Sequence, residues 1–237
     1  MGQLKTLIHL HTTYSYDSDI SPENLVRFAE DNDFGCVAVT DHDSIEGALH
    51  VRSLTDIKVI VGEEITTRDG HLIGLFLQER IRPYMSARET ALAIKEQGGL
   101  VFVPHPFNKV FGCGLGPVTW QILDLIDAVE IGNAQNLLPF PDGLARRLAS
   151  KTGLTTYVGA DSHRRDSIGP CYQVMRDFDG PEDFARALAF ATLIAGKHPL
   201  SYFARVGSAL LCHLMHRPVA ALARLGERVH GMTAARG

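Results

Sequence analysis

The run Leu4-Lys5-Thr6-Leu7-Ile8-His9-Leu10-His11 is mostly apolar and ends in two histidines one residue apart. In a strand, successive side chains point to opposite faces, so His9 and His11 share a face and can hold one metal ion between them. A lone His-x-His is a weak signal, but this one recurs in kind. Asp41-His42-Asp43 follows the run Cys36 to Thr40, Glu63-Glu64 follows Ile57 to Val61, and His71 leads Leu72 to Leu77. His105 follows Leu100 to Val103, and Asp161-Ser162-His163 follows Thr155 to Gly159. Metal-binding residue types thus gather at the ends of short apolar runs of strand character.

Helical segments lie between these runs. Ser21-Pro22-Glu23-Asn24 offers an N-cap and a proline at the first helical position, and Leu25, Val26, Phe28 and Ala29 form the apolar stripe. A second helix starts at Ser44 to Leu49, and Ser86 to Gln97 is amphipathic and stopped by Gly98-Gly99. Ile122 to Ile126 reads as helical before a strand at Ala128 to Ile131, and Gly143 to Ser150 as a further helix. This alternation predicts an α/β fold with a parallel sheet buried on both faces, and its regularity favours a barrel. Barrels carry their active sites at the C-terminal ends of the strands, where these residues fall.

A chain of 237 residues fits one sizeable catalytic domain. Its 45% hydrophobic and 21% charged content is ordinary for a globular protein, and a net charge of -4 leaves no global nucleic-acid footprint. Cys36, Cys113, Cys171 and Cys212 form no CxxC pair, which argues against a zinc knuckle or a disulfide framework and makes the cytoplasm the expected location. No apolar stretch reaches the length of about 18 residues that a membrane span needs, and the N-terminus enters the first strand without signal-peptide regions. From about Lys197 the balance turns basic: Lys197, Arg205, Arg217, Arg224, Arg228 and Arg236 stand against Glu227 alone. Residues 1–196 are therefore read as the barrel and 197–237 as a basic helical extension. Phe203, Val206, Leu210 and Leu214 lie at helical spacing, and a second helix could span Pro218 to Val229. The extension is expected to pack across the barrel, with docking on a partner or a membrane surface as the alternative.

Histidine nitrogen and carboxylate oxygen suit Zn, Mn or Fe, and a carboxylate between two ions can bridge them. So many ligand-type residues exceed the needs of one ion, which implies a site of two or three divalent metals. Such a cluster can generate hydroxide from bound water at neutral pH and stabilise the attacking and leaving oxygens of an in-line displacement, which suits phosphoester hydrolysis.

Taken in order, His9-x-His11, Asp41-His42, Glu64, His71, His105 and Asp161-x-His163 resemble the motifs of the PHP (polymerase and histidinol phosphatase) superfamily over roughly residues 4–170. The resemblance implies a distorted seven-stranded (β/α) barrel with a two- or three-metal centre. It further implies that His9, His11 and Asp161 hold one ion, that Glu64 bridges it to a second held by His71 and His105, and that Asp17, His42 and His163 hold a third. Glu64, His42 and Asp161 are then the residues expected to serve a metal-bound hydroxide. Asp41 is expected to orient His42 or another ligand. Glu63 and Glu64 face opposite ways, and the family pattern favours Glu64 as the ligand.

Arg164, Arg165 and Lys109 are candidate phosphate contacts. His50, His198, His213, His216 and His230 are read as surface or tail histidines. The glycine- and aromatic-rich stretch Phe107 to Gly116 is a candidate lid. The expected activity is that of a metal-dependent phosphoesterase acting on a small phosphorylated metabolite or nucleotide. The alternatives are a nuclease acting on short oligonucleotide ends, a histidinol-phosphatase-like enzyme, and a metal-stabilised binding module.

Overall fold

The computed structural model describes residues 2–108, 113–198 and 202. Strands β1 (Gln3–Leu10), β2 (Phe34–Val39) and β3 (Lys58–Thr66) alternate with helices α1 (Pro22–Asp31) and α2 (Glu46–Leu54). Then come β4 (His71–Leu75), α3 (Ala87–Glu96), β5 (Leu100–Val103), β6 (Ala128–Asn133), α4 (Phe140–Thr152) and β7 (Thr155–Gly159). Two further strands, β8 (Cys171–Arg176) and β9 (Thr192–Ala195), flank α5 (Gly180–Leu188).

The caps follow the sequence. Ser21 accepts a hydrogen bond from the Asn24 amide at the start of α1, and Ser86 forms a reciprocal capping box with Glu89 at α3.

The strands form one sheet in the order β7-β6-β5-β4-β3-β2-β1-β8-β9. It curls until its ends meet: a parallel bridge joins Leu10 to Ser162, and the Ala160 amide donates to the Ile8 carbonyl at 3.0 Å. At the opposite end of β1 the antiparallel strand β8 fills the seam, and its Gln173 Oε1 accepts from the Val158 amide of β7 at 2.8 Å. The result is a nearly closed barrel whose sheet has nine strands rather than seven.

Side chains alternate between two buried layers. Ile8, Ala38, Ile60, Ile73, Phe102 and Tyr157 pack together with Phe178 and Phe184 in one cluster. Their strand neighbours Leu7, Val37, Val61, Leu72 and Val101 pack with Leu25, Val51, Ile94 and Leu148 of the surrounding helices. Burial on both faces explains why these strands are apolar runs rather than alternating ones.

The sheet is not wholly parallel. β4 runs antiparallel to both β3 and β5, because the tight turn at Thr67–Gly70 makes β3 and β4 a hairpin in which His71 pairs with Thr66. This reversal puts the first residue of β4 at the rim where the other strands end. The helix expected at 122–126 is also absent: a 3₁₀ turn over Gly116–Gln121 comes first, and the chain then enters β6 through turns. Proline at its start and short reach suit that tighter geometry.

Residues 1–198 form a compact unit. The helices expected at 203–214 and 218–229 lie outside the described residues, as does Lys109, and the candidate lid 107–116 is described only in part. Among the described residues no helix is long and apolar enough to cross a membrane.

Candidate metal centre

Glu64 stands at the middle of the barrel rim, on the same face of β3 as Ile60, and is buried. Its Oε2 lies 3.1 Å from His9 Nε2 and 3.1 Å from His11 Nε2, while Oε1 lies 2.8 Å from His71 Nδ1 and 3.0 Å from His105 Nε2. One carboxylate thus faces two separate pairs of imidazoles. Asp161 Oδ1 completes the first set at 3.5 Å from His9 Nε2 and 3.7 Å from His11 Nε2. Asp17, at 3.6 Å from His42 Nε2 and 3.4 Å from His163 Nε2, joins these two and His11 in a third set.

The donor atoms fit divalent ions. His11 Nε2 is close to Glu64 without hydrogen-bond geometry, and it and His42 Nδ1 are buried with no hydrogen-bond partner. Donors crowded around a carboxylate in this way form a candidate cation site.

The electrostatics agree. Against the cost of burial, the carboxylates of Asp161, Glu64 and Glu130 push His9 well above its ordinary value, and Glu64 and Asp17 hold His42 up at about 9. Burial, with His163 and His42 beside it, lowers His11 to about 3. Despite its burial, Glu64 is held well below the usual carboxylate range by the surrounding histidines.

The backbone is bent to achieve this. His9, His105 and Asp161 have φ of 68°, 26° and 44°, a region that non-glycine residues rarely occupy. The β1–β2 register shifts between Leu7 and Leu10, so an irregularity at His9, rather than simple strand alternation, brings His9 and His11 onto one carboxylate oxygen. Strain of about 1–3 kcal/mol per such residue persists only where the surroundings enforce it.

A ring of buried polar groups holds the ligands. Glu130 of β6 accepts from His9 Nδ1 at 2.9 Å and from the His105 amide at 2.6 Å. Asn133 Nδ2 donates to Glu130 at 2.8 Å and to Asp161 Oδ2 at 2.9 Å. Asp41 accepts from the Thr12 amide and hydroxyl and from Ser15 Oγ, which itself lies 3.1 Å from His11 Nδ1. Ser15 Oγ also accepts from the His42 amide at 2.9 Å, so Asp41 positions His11 and the backbone of His42 through Ser15. Gln135 Nε2 reaches the Asp161 carbonyl at 2.8 Å, and its side chain lies beside His163.

Glu130, Asn133 and Gln135 are not prominent in the sequence, and the single acid inside the run Ala128 to Ile131 was the available signal. Glu63 faces away from the centre: it is buried, accepts from the Ile81 amide at 2.8 Å, and is pushed up to about 7 by burial. His50 is on the surface beside Tyr14. His198, by contrast, is buried rather than exposed, because the chain after β9 folds back on the β6 end and its amide donates to the Ala134 carbonyl. Arg164 is engaged with Asp19 at 3.1 Å, and Arg165 is exposed beside it.

Fold and donor array together define an α/β barrel that carries candidate metal-binding groups of histidine, aspartate and glutamate at its rim. The model of the PHP domain matches residues 8–105, that of the PHP-associated region matches residues 139–193, and the chain belongs to the PHP family. It is 36% identical over 160 residues to an uncharacterized protein of Methanocaldococcus jannaschii, covering 62% of this chain and 89% of that one. A second uncharacterized protein of that organism is 29% identical over 175 residues, covering 71% and 69%. Among solved structures, a two-domain protein of Bacteroides vulgatus containing a predicted PHP-like metal-dependent phosphoesterase superposes with a TM-score of 0.67 at 17% identity. That match covers 82% of this chain and 65% of that one, so the chain spans about two thirds of the larger protein. The lesion-specific endonuclease EndoQ of Pyrococcus furiosus superposes with a TM-score of 0.59 at 15% identity, covering 81% and 58%.

Proposed function

We propose that the chain is a metal-dependent phosphoesterase that hydrolyses a phosphomonoester or small nucleotide phosphate. The observation that carries this reading is Glu64, whose two oxygens each face their own pair of histidines. In this reading His9, His11 and Asp161 would hold one ion, His71 and His105 a second, with Glu64 serving both, and Asp17, His42 and His163 would hold a third. When bound, divalent ions such as Zn, Mn or Fe supply Lewis acidity and a nucleophile available at neutral pH. The protein's own contribution is to fix the ligands through Glu130, Asn133 and Asp41, and to keep the inner ligands away from bulk water.

One feature favours a second substrate class, the end of a short oligonucleotide. A cleft of about 660 Å³ is lined by Arg68, Arg80, Arg82 and Tyr84 together with Glu89, which pairs with Arg68 at 3.1 Å, and Arg68 belongs to the turn that leads into His71. Tyr16, 87% exposed, stacks on His42 with ring centroids 5.3 Å apart, leaving its other face for a base. Arg165 and Lys109 remain candidate phosphate contacts on the same reading.

The test is metal content by elemental analysis beside phosphate release from nucleotides, sugar phosphates, histidinol phosphate and short oligonucleotides after Mn or Zn is restored. Two or three ions with release from a narrow substrate set is the expected result. Bound metal with no hydrolysis of any of these would overturn the phosphoesterase reading in favour of a binding module.

A further inference from the structure

The residues so far described at the second ion position are nitrogen and oxygen donors, but a sulfur also lies there. His71, His105 and Cys113 each bring a ligand atom within 4.8 Å of the other two. Their proximity is built by backbone contacts. The His71 amide donates to the Cys113 carbonyl at 2.7 Å, and the Gly114 and Gly116 amides donate to the Asn108 and Pro106 carbonyls. Gly70, at φ 134°, lets the β3–β4 turn pass so close that a Cβ there would lie 2.9 Å from the Cys113 carbonyl oxygen. Residue 113 is therefore fastened to the same turn that presents His71.

A second observation points to a ligand at this place. The nitrogen donors converge there: His105, 5% exposed, turns Nε2 to Glu64 Oε1 at 3.0 Å, the same oxygen that His71 Nδ1 meets at 2.8 Å, and Cys113 lies within hydrogen-bonding reach of the His105 ring. The other cysteines described, Cys36 and Cys171, are buried elsewhere, in the barrel interior and beside Val158.

We propose that the Cys113 thiolate is a direct ligand of the ion held by His71, His105 and Glu64, giving that position a two-nitrogen, one-oxygen, one-sulfur donor set. The inference rests on the metal-centre reading and adds a residue to it. A thiolate makes the position softer than the all-nitrogen-and-oxygen site at His9, His11 and Asp161, so the two positions differ in preference: Zn or Fe at the Cys113 position, with Mn tolerated better at the other. With Cys113 the position has four protein donors, the number that a tetrahedral zinc site uses.

The experiment uses the full chain, stripped of metal and reloaded with Zn or with Co(II), and needs no substrate. Iodoacetamide labelling mapped by peptide mass spectrometry should find Cys113 at least 10-fold less reactive in the Zn-loaded protein than in the metal-free protein. The Co(II)-loaded protein should show a thiolate-to-cobalt charge-transfer band that C113S lacks, and C113S should lose Zn preference over Mn at one ion per chain. Protection without that band would make Cys113 a hydrogen-bond partner of His105 and overturn direct ligation. Full metal loading with Cys113 equally reactive would overturn it too, leaving the metal centre intact. A chain that takes up no metal under any condition would bring down both readings together.

Discussion

His9 Nδ1 lies 2.9 Å from Glu130 Oε1, and both side chains are completely buried. The contact fixes the ring so that Nε2 faces Glu64, and Glu130 simultaneously holds the His105 amide, so one carboxylate of β6 orients candidate ligands of two proposed ion positions. Removing its charge while keeping its shape isolates that role. Glu130→Gln is expected to weaken metal binding by about 10- to 100-fold with the fold retained. Competition against a chelator with a coloured zinc complex reads this directly, and unchanged affinity would remove Glu130 from the supporting shell.

Gly159, at the end of β7, exists in this place because a Cβ would lie 1.7 Å from Glu130 Oε1 and 3.1 Å from His9 Nδ1. Gly159→Ala should therefore displace Glu130 and reproduce the metal loss of Glu130→Gln. Calorimetric titration with Zn checks it, and normal binding in the variant would show that Glu130 can move without consequence.

Glu64→Ala removes the shared carboxylate from between the two histidine pairs. The expected outcome is a folded protein that loses at least one ion per chain, with hydrolysis reduced by at least about 100-fold. Elemental analysis and circular dichroism on the same sample separate this from simple unfolding.

His42, held at about 9 without metal, is largely protonated at pH 7.5. A metal ligand must be neutral, so ion uptake at the Asp17, His42 and His163 position displaces that proton. Affinity there should rise with pH, by up to about tenfold per unit, and level off above about pH 9. Zn titrations in buffers of different ionisation enthalpy should give different apparent heats at pH 7.5; identical heats would mean no proton is released.

Glu63 is a carboxylate raised by burial from 4.5 to about 7, with one oxygen that has no hydrogen bond and lies 3.9 Å from Arg80 Nε. A folded pKa above the unfolded one stabilises at low pH, and this stabilisation is lost as pH rises from about 4.5 through 7. Glu63→Gln removes the charge, so it should raise the melting temperature at pH 8 and change it little near pH 5. The difference corresponds to at most about 3 kcal/mol.

Much of this architecture was legible in the residues. Ligands at strand ends announced the rim, and capping serines marked α1 and α3, because both signals are local. The antiparallel β4 was not legible as such, although His71 at the front of its run hinted at it: a ligand at the start of a strand reaches the common rim only if the strand is reversed. The strands β8 and β9 are not legible because their exposed residues break the continuous apolar pattern of the barrel strands. Glu130 and Asn133 were hidden for another reason. Their function depends on which neighbours β6 meets across the barrel, which no spacing along the chain encodes. Cys113 carries no such signal either: spacing along the chain marks cysteine sites through pairs, whereas its neighbours here are His71 and His105.

The seam between β1 and the end of β7 carries few backbone hydrogen bonds, yet His9 and His11 stand on one side of it and Asp161 and His163 on the other. An ion gripped by His9, His11 and Asp161 would act as a rivet, tying together residues some 150 positions apart in the chain. On that account, stripping metal should do more than silence chemistry. It should unfasten the barrel along this line first, so that amide exchange quickens at residues 8–11 and 160–163 while the β3–β4 hairpin, stitched by its own turn, holds its protection.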